Sequence, residues 1–103
     1  ADAWNSKGNS LDALKKYEEA ILAYEHAITI DPSDADAWNS KGNSLDALKK
    51  YEEAILAYEH AITIDPSDAD AWNSKGNSLN SLGKRDEAKK CLDKAKELDD
   101  IDF

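Results

Sequence analysis

The side chains best suited to acid–base or metal chemistry lie at spacings that do not assemble a catalytic site. His26 and His60 are 34 residues apart, and neither has a second metal ligand one helical turn away. The run from Asp31 to Asp36 is rich in carboxylates but lacks the glycine and the distal glutamate of a calcium-binding loop. The sequence contains neither a glycine-rich phosphate loop nor a nucleophile elbow. We therefore expect no metal site, no cofactor and no enzymatic activity.

A pair of glutamates and a cysteine could also react, but helix stability and packing explain them better than catalysis does. Glu18 and Glu19 fall where a helix begins, and there a carboxylate favours the positive end of the helix dipole. Cys91 is the only cysteine, which excludes an internal disulfide and fits a reducing compartment. Its position on a helix predicts a packed thiol whose pKa is slightly lowered by Lys90 and Lys94.

Composition narrows the classes of partner. The 103 residues include 22 acidic and 13 basic side chains, for a net charge of -9. Nucleic acids and anionic membranes reward lysine and arginine, so neither is expected as the main partner. No apolar stretch is long enough for a signal peptide or a membrane span, and the sequence predicts a cytoplasmic protein with a single domain.

The chain is built from three units of a repeat. Residues 1–34 and 35–68 are identical letter for letter, and a third copy over 69–103 keeps the pattern only as far as Leu79. A fixed period of this length indicates stacked units that bury their apolar faces on their neighbours. Perfect identity is unusual, because natural repeats drift apart at the surface. A recent duplication and an engineered array of one repeated unit are both consistent with it.

Each unit carries two helical patterns. Apolar and small residues at spacings of three and four predict helix A over about 2–14 and helix B over about 18–30 of each unit. In the first unit these residues are Ala3, Trp4, Gly8, Leu11 and Leu14, then Ala20, Ile21, Tyr24, Ala27, Ile28 and Ile30. Lys15 and Lys16 lie in the turn between the helices. Pro32 ends helix B, and Ser33 is the predicted cap of the next helix.

These residues resemble the tetratricopeptide repeat, a family of 34-residue helix–turn–helix units. The matching positions are Trp4, Gly8, Ala20, Tyr24, Ala27 and Pro32, then Trp38, Gly42, Ala54, Tyr58, Ala61 and Pro66, with Trp72, Gly76, Ala88 and Ala95 in the third unit. The resemblance implies an all-α fold, a right-handed α-solenoid of about six antiparallel helices. Lys7 and Lys41 depart from the leucine that the family often has. Lys15 and Lys49 replace a turn glycine that the third unit keeps as Gly83, so the first two turns are expected to be strained.

The two ends of the array differ. Ile21, Leu22 and Ile28 can pack on the next unit, but lysines replace all three in the last helix, at Lys89, Lys90 and Lys96. This predicts that the last helix is a polar cap. The first helix has no such adaptation: it either tolerates exposure of its small and polar residues Ala3, Ser6, Lys7 and Ser10, or packs on another molecule, including a second copy. Ile101 and Phe103 either fold back on the last helix or fray.

In the family that this sequence resembles, the A helices line a concave groove that usually holds a partner's peptide. The positions carried over by this resemblance are Asp2, Asn5, Asn9, Asp12 and Ala13, then Asp36, Asn39, Asn43, Asp46 and Ala47, then Asp70, Asn73, Asn77, Asn80 and Ser81. Asparagine amides can hold an extended peptide backbone, and the aspartates favour a neutral or basic peptide. The alternative is a polar face that binds nothing.

Some members of the family hold an acidic C-terminal peptide with a clamp of lysine, asparagine and arginine. Asn9 and Asn43 match the asparagines of that clamp, but its basic places fall at or near Asn5, Asp70 and Asn73 or Ser74. The sequence therefore predicts that an acidic tail does not bind. A protein-interaction scaffold is the function that we expect, and a model repeat protein without a ligand or a self-associating element are the alternatives.

Overall fold

A computed structural model describes residues 2–100, and all of its regular structure is helical. Six helices follow one another: α1 (Asp2–Ala13), α2 (Tyr17–Ile30), α3 (Ala35–Ala47), α4 (Tyr51–Ile64), α5 (Ala69–Ser81) and α6 (Arg85–Asp100). Each begins and ends within about two residues of its predicted bounds. Consecutive helices pack against each other along the chain, so the fold is an α-solenoid of three helix pairs, as predicted. Ile101 and Phe103 lie outside the described residues.

The turn inside each unit requires a left-handed residue. Lys15 and Lys49 have φ of 62° and 64°, and Gly83 has φ of 81° at the same place in the third unit. In the first turn the amide of Lys16 donates to the carbonyl of Leu11 at 2.8 Å, and the amide of Lys15 donates to Asp12 at 2.9 Å. This hydrogen-bond pattern ends a helix most comfortably on glycine. The predicted strain is therefore present at both lysines.

Replacing Lys49 by glycine should stabilise the protein by about 0.5–1 kcal/mol. A residue with a Cβ atom is sterically strained in the left-handed conformation, and relief of this strain outweighs the extra conformational freedom that glycine has in the unfolded chain. The free energy of unfolding from urea titration measures the effect. Gly83→Lys is the matched reverse change, and it should lose a similar amount, since no atom lies within 4 Å of a Cβ built there. Equal stability of all three proteins would contradict the assignment of strain.

The loop between units differs from the prediction at its cap. The N-cap of α3 is Asp34, whose carboxylate accepts from the amide of Ala37 at 3.2 Å. Ser33, the predicted cap, is occupied differently: its hydroxyl donates to the Asp31 carboxylate at 2.7 Å. The prediction was wrong by one residue because Asp31 captures the serine and leaves the next residue in the extended conformation that a cap needs.

Within a unit, a glycine makes room for a buried tyrosine. Tyr58 is 1% exposed, and a Cβ built on Gly42 would lie 2.5 Å from the Cε1 atom of its ring. The ring of Tyr58 thus occupies the space that a side chain at position 42 would need. In the third unit Leu92 takes the place of the tyrosine, and its Cγ would lie 2.7 Å from a Cβ on Gly76.

Between units, helix B of one pair packs on helix A of the next. Ile21 packs on the cluster that contains Leu45 and Ala54, and Ile55 packs on the corresponding cluster with Leu79. Leu22 is 60% exposed, so the isoleucine carries more of the stacking than was predicted for the pair. Leu14, also predicted to lie on the apolar stripe, is 67% exposed, whereas its counterparts Leu48 and Leu82 in the next two units are half-buried.

The array curves with its A helices on the inner side. α1 contacts α3 and α3 contacts α5, whereas no even-numbered helix contacts another within residues 2–100. The helices of neighbouring units therefore lie closest together along the side formed by α1, α3 and α5. No helix in the described part of the chain is long and apolar enough to cross a membrane.

Candidate peptide-binding face

One asparagine in each of the first two units is held by the buried tyrosine. The Tyr24 hydroxyl donates to Oδ1 of Asn9 at 2.8 Å, and Tyr58 donates to Asn43 at the same distance. Because the amide oxygen accepts this bond, the NH2 group is the part of each exposed asparagine that can donate outward. Two amide donors thus recur at the 34-residue period of the chain.

The tyrosines remain hydrogen-bond donors at neutral pH. Burial raises the pKa of Tyr24, and the nearby Asp12 carboxylate raises it further. Burial and Asp46 raise the pKa of Tyr58 in the same way. Both causes disfavour the phenolate, so the two asparagine amides are held in one orientation across the physiological range.

Two aspartates of the predicted site join neighbouring units. Asp12 accepts from the Ser44 hydroxyl at 2.9 Å, and Asp46 accepts from Ser78 at 2.8 Å. Ser44 and Ser78 are fully buried, so each carboxylate satisfies a hydroxyl that would otherwise be unpaired. Asp12 and Asp46 are half-buried and keep a second oxygen for other contacts.

The first asparagine of each of the first two units is less available than the second. The Asn5 amide donates to the Asp34 carboxylate at 2.6 Å, which ties α1 to the cap of α3. The Oδ1 atoms of Asn5 and Asn39 are buried and have no hydrogen-bond partner among residues 2–100. These two side-chain oxygens are thus shielded from an incoming molecule.

The remaining predicted residues are exposed. They are Asp2, Ala13, Asp36, Ala47, Asp70, Asn73, Asn77, Asn80 and Ser81. In the third unit Leu92 replaces the tyrosine, so no phenol engages Asn77 there. The Ser81 hydroxyl donates back to the Asn77 carbonyl at 3.2 Å.

None of these fifteen positions carries a lysine or an arginine. The lysines of the A helices lie over tryptophan rings instead: Lys41 Nζ is 5.4 Å from the Trp38 ring centroid and 3.3 Å from the Glu25 carboxylate of the preceding unit. Lys75 repeats this arrangement with Trp72 and Glu59. At Lys41 and Lys75, the lysine that replaces the leucine of the repeat pattern is therefore paired with the preceding unit, a partner that the sequence pattern did not reveal.

The histidines also have a role that the sequence analysis missed. His26 stacks on Trp4 with ring centroids 4.3 Å apart, and His60 stacks on Trp38 at 4.1 Å. Each pair joins helix A to helix B of one unit. In the sequence, the only sign of this contact was that each histidine follows the tryptophan of its unit at the same spacing in both units.

Cys91 is packed, as predicted, and is 5% exposed. The predicted direction of its pKa was wrong: burial raises the pKa of the thiol, and the Lys75 ammonium offsets this only in part. Lys90, which was expected to lower the pKa, is exposed. No group of three or more potential metal ligands occurs among residues 2–100.

The family comparison decides what these units are. A sequence model of the family described as tetratricopeptide repeat matches residues 1–34, 35–68 and 69–100. The chain belongs to the tetratricopeptide-repeat family. Its three repeats correspond to the helix pairs α1–α2, α3–α4 and α5–α6.

Several solved structures superpose closely on the chain. The second such domain of Spaghetti (RPAP3), bound to the HSP90 peptide SRMEEVD, is 30% identical with a TM-score of 0.91 over 93% of this chain and 89% of its own. MamA is 32% identical with a TM-score of 0.94, and the match covers 97% of this chain but 58% of MamA. The Sgt2 domain from Aspergillus fumigatus is 28% identical with a TM-score of 0.92, over 95% of this chain and 65% of that one. A comparison with curated proteins found no match.

Proposed function

We propose that the chain is a non-enzymatic protein-interaction module whose A helices bind an extended peptide of neutral or basic character. The observation that carries this proposal is the chemistry of the fifteen predicted positions, which offer amides and carboxylates but no cation. Neighbouring tetratricopeptide-repeat domains bind a peptide, as the Spaghetti complex with SRMEEVD does, which supports a peptide as the class of partner.

The amides supply contacts to the peptide backbone. Asn9 and Asn43 each keep an outward NH2 group while the tyrosines hold their oxygens. Donors oriented in this way before binding lose little conformational freedom when a peptide carbonyl accepts from them. Their fixed spacing along the array suits an extended chain, whose successive carbonyls lie at regular intervals.

The carboxylates supply the charge preference. Asp36 and Asp70 are exposed, and the second oxygens of Asp12 and Asp46 add to the same acidic surface. A lysine or arginine on the peptide would be attracted to this surface and would bind faster at low salt. An acidic peptide such as SRMEEVD would be repelled and would find no cation to receive its carboxylates.

Peptide arrays graded from net negative to net positive charge, followed by titration of the best sequence, test the proposal. We expect saturable binding of basic peptides, weaker binding as salt increases, and none of SRMEEVD. Asp36→Lys should weaken basic-peptide binding about three- to tenfold. Asp93→Lys makes the same charge change on the exposed side of α6 and should leave the affinity unchanged. Equal effects of the two substitutions, or preferred binding of SRMEEVD, would contradict the proposed face.

A repeat protein without a ligand is the second candidate, and the letter-for-letter identity of residues 1–34 and 35–68 favours it. An array made by repeating one unit needs no partner to account for its polar face. Absence of saturable binding across the whole peptide array would support this candidate over the module.

A further inference from the structure

The outer side of α1 exposes residues whose counterparts are buried in the next two units. Ser10 is exposed, whereas the equivalent Ser44 and Ser78 are fully buried. Leu11 is half-buried, whereas Leu45 and Leu79 are 5% and 3% exposed. We call this surface the N-terminal face: it consists of Ala3, Trp4, Lys7, Ser10 and Leu11.

The chain itself shows what covers this face elsewhere. On α3 the same five residue types are covered by α2, with Ile21 packed on the Leu45 cluster and Glu25 paired with Lys41 at 3.3 Å. On α5 they are covered by α4, with Ile55 packed on the Leu79 cluster and Glu59 paired with Lys75 at 3.2 Å. Because α1 has the same sequence as α3, its face presents the same groups to a covering helix.

The cleft beside the face also matches its internal counterpart. A cleft of 400 Å³ is lined by seven residues of the first unit, including Trp4, Lys7 and Leu22. The seven residues 34 positions later line one side of a cleft of 610 Å³, and α2 supplies most of the remaining wall with Glu18, Ile21, Leu22 and Glu25. The first cleft is therefore the second one without its covering helix.

We propose that the N-terminal face binds an acidic amphipathic helix supplied from outside residues 1–103, with the pattern Glu-x-x-Ile-Leu-x-x-Glu of α2. The Ile side chain of that helix lies on Leu11, and its second Glu pairs with Lys7. This interface is separate from the peptide-binding face, because it uses the opposite side of the first unit.

The exposed end of a second copy does not carry this pattern. α6 has Asp86, Lys89, Lys90 and Asp93 at the four positions, so stacking it on the N-terminal face would bring two lysines against Lys7 and the apolar groups. Burying an unpaired ammonium against apolar side chains is costly. In the same chain, α2 and α4 already have their outer sides covered by α3 and α5.

The test uses the full chain and a peptide of residues 16–31, cross-linked between positions 20 and 24 to hold it helical. A helix of this length is marginal in water without such a link. The link replaces Ala20 and Tyr24, neither of which belongs to the Glu-x-x-Ile-Leu-x-x-Glu pattern. Two-dimensional NMR of the labelled chain should show saturable shifts of the Trp4 indole and the Ser10 amide, with those of Trp72 and Ser78 unchanged.

Two changes separate specific docking from general apolar adhesion. The same peptide with Ile21→Lys and Leu22→Lys, which reproduces the α6 pattern, should bind at least about tenfold more weakly. Lys7→Glu in the chain should weaken the original peptide and restore binding of its Glu25→Lys variant. Equal binding of the α2 and α6 patterns, shifts confined to Asn39 and Asn43, or self-association of the chain that Lys7→Glu abolishes would each overturn the proposal.

Discussion

Ile55→Lys is expected to destabilise the protein by about 2–3 kcal/mol and to separate the unfolding of the third unit from that of the first two. Ile55 packs on the cluster of Leu79, Ala88 and Cys91, so the substitution removes apolar contact where α4 joins the third unit. Burial of an isoleucine contributes about 1.5–3 kcal/mol, and a lysine at the interface must also keep its ammonium hydrated. In a stacked array, stability depends on such nearest-neighbour interfaces, and weakening one reduces cooperativity.

Leu56→Lys is the matched control. Leu56 is the next residue on the same helix but is 60% exposed, so its replacement should change the free energy of unfolding by no more than about 0.5 kcal/mol. Urea titration followed by circular dichroism and tryptophan fluorescence measures both stability and the coincidence of the transitions. Equal losses from the two substitutions, or no loss from Ile55→Lys, would contradict the assignment of the stacking contact to the isoleucine.

This contrast also shows how far the repeat pattern predicts packing. Because lysines replace the stacking residues in α6, the sequence predicted that this helix has an exposed outer side, and Lys89 and Lys90 are indeed exposed. It treated Ile21 and Leu22 alike, although only the former packs on the buried cluster of the next unit. Periodicity identifies an apolar side of a helix to within about one residue, and the crossing of the neighbouring helix then decides which side chain is covered.

Local competition explains the other differences. The cap moved from Ser33 to Asp34 because a third residue, Asp31, binds the serine hydroxyl. The pKa of Cys91 is raised because burial outweighs the nearby cations, and burial depends on tertiary packing. Turn geometry was predictable because Gly83 marks the left-handed position that Lys15 and Lys49 also occupy.

For the candidate face, sequence reasoning specified the residue types but could not specify their partners. The bonds from Tyr24 to Asn9 and from Ser44 to Asp12 join residues 15 and 32 positions apart. Such pairs depend on how helices cross within and between units. They determine which polar groups remain free, and hence which predicted residues are available to a ligand.

Three substitutions are expected to change the peptide preference of the proposed face from basic to acidic. Asn5→Lys, Asp70→Lys and Ser74→Arg together place cations where the resemblance assigns the basic part of an acidic-peptide clamp. Asn9 and Asn43 already offer amide donors. Hydrogen bonds to charged groups are worth about 1.5–3 kcal/mol each, so the triple variant should bind SRMEEVD at least about a hundredfold more tightly than the parent chain does. Asp34, which now accepts from Asn5, will compete for one of the new cations and limit the gain.

Calorimetry or fluorescence anisotropy with labelled SRMEEVD measures this gain. Asp93→Lys with Glu97→Lys is the control, because it adds the same total charge on exposed positions of α6. If net charge alone excluded the acidic peptide, both variants would bind it equally. Tight binding by the triple variant alone, lost again when the peptide's terminal carboxylate is amidated, would show that the parent chain rejects acidic tails for lack of cations at three positions. Failure of the triple variant to bind, with its helical content unchanged, would argue against a clamp-like geometry on this face.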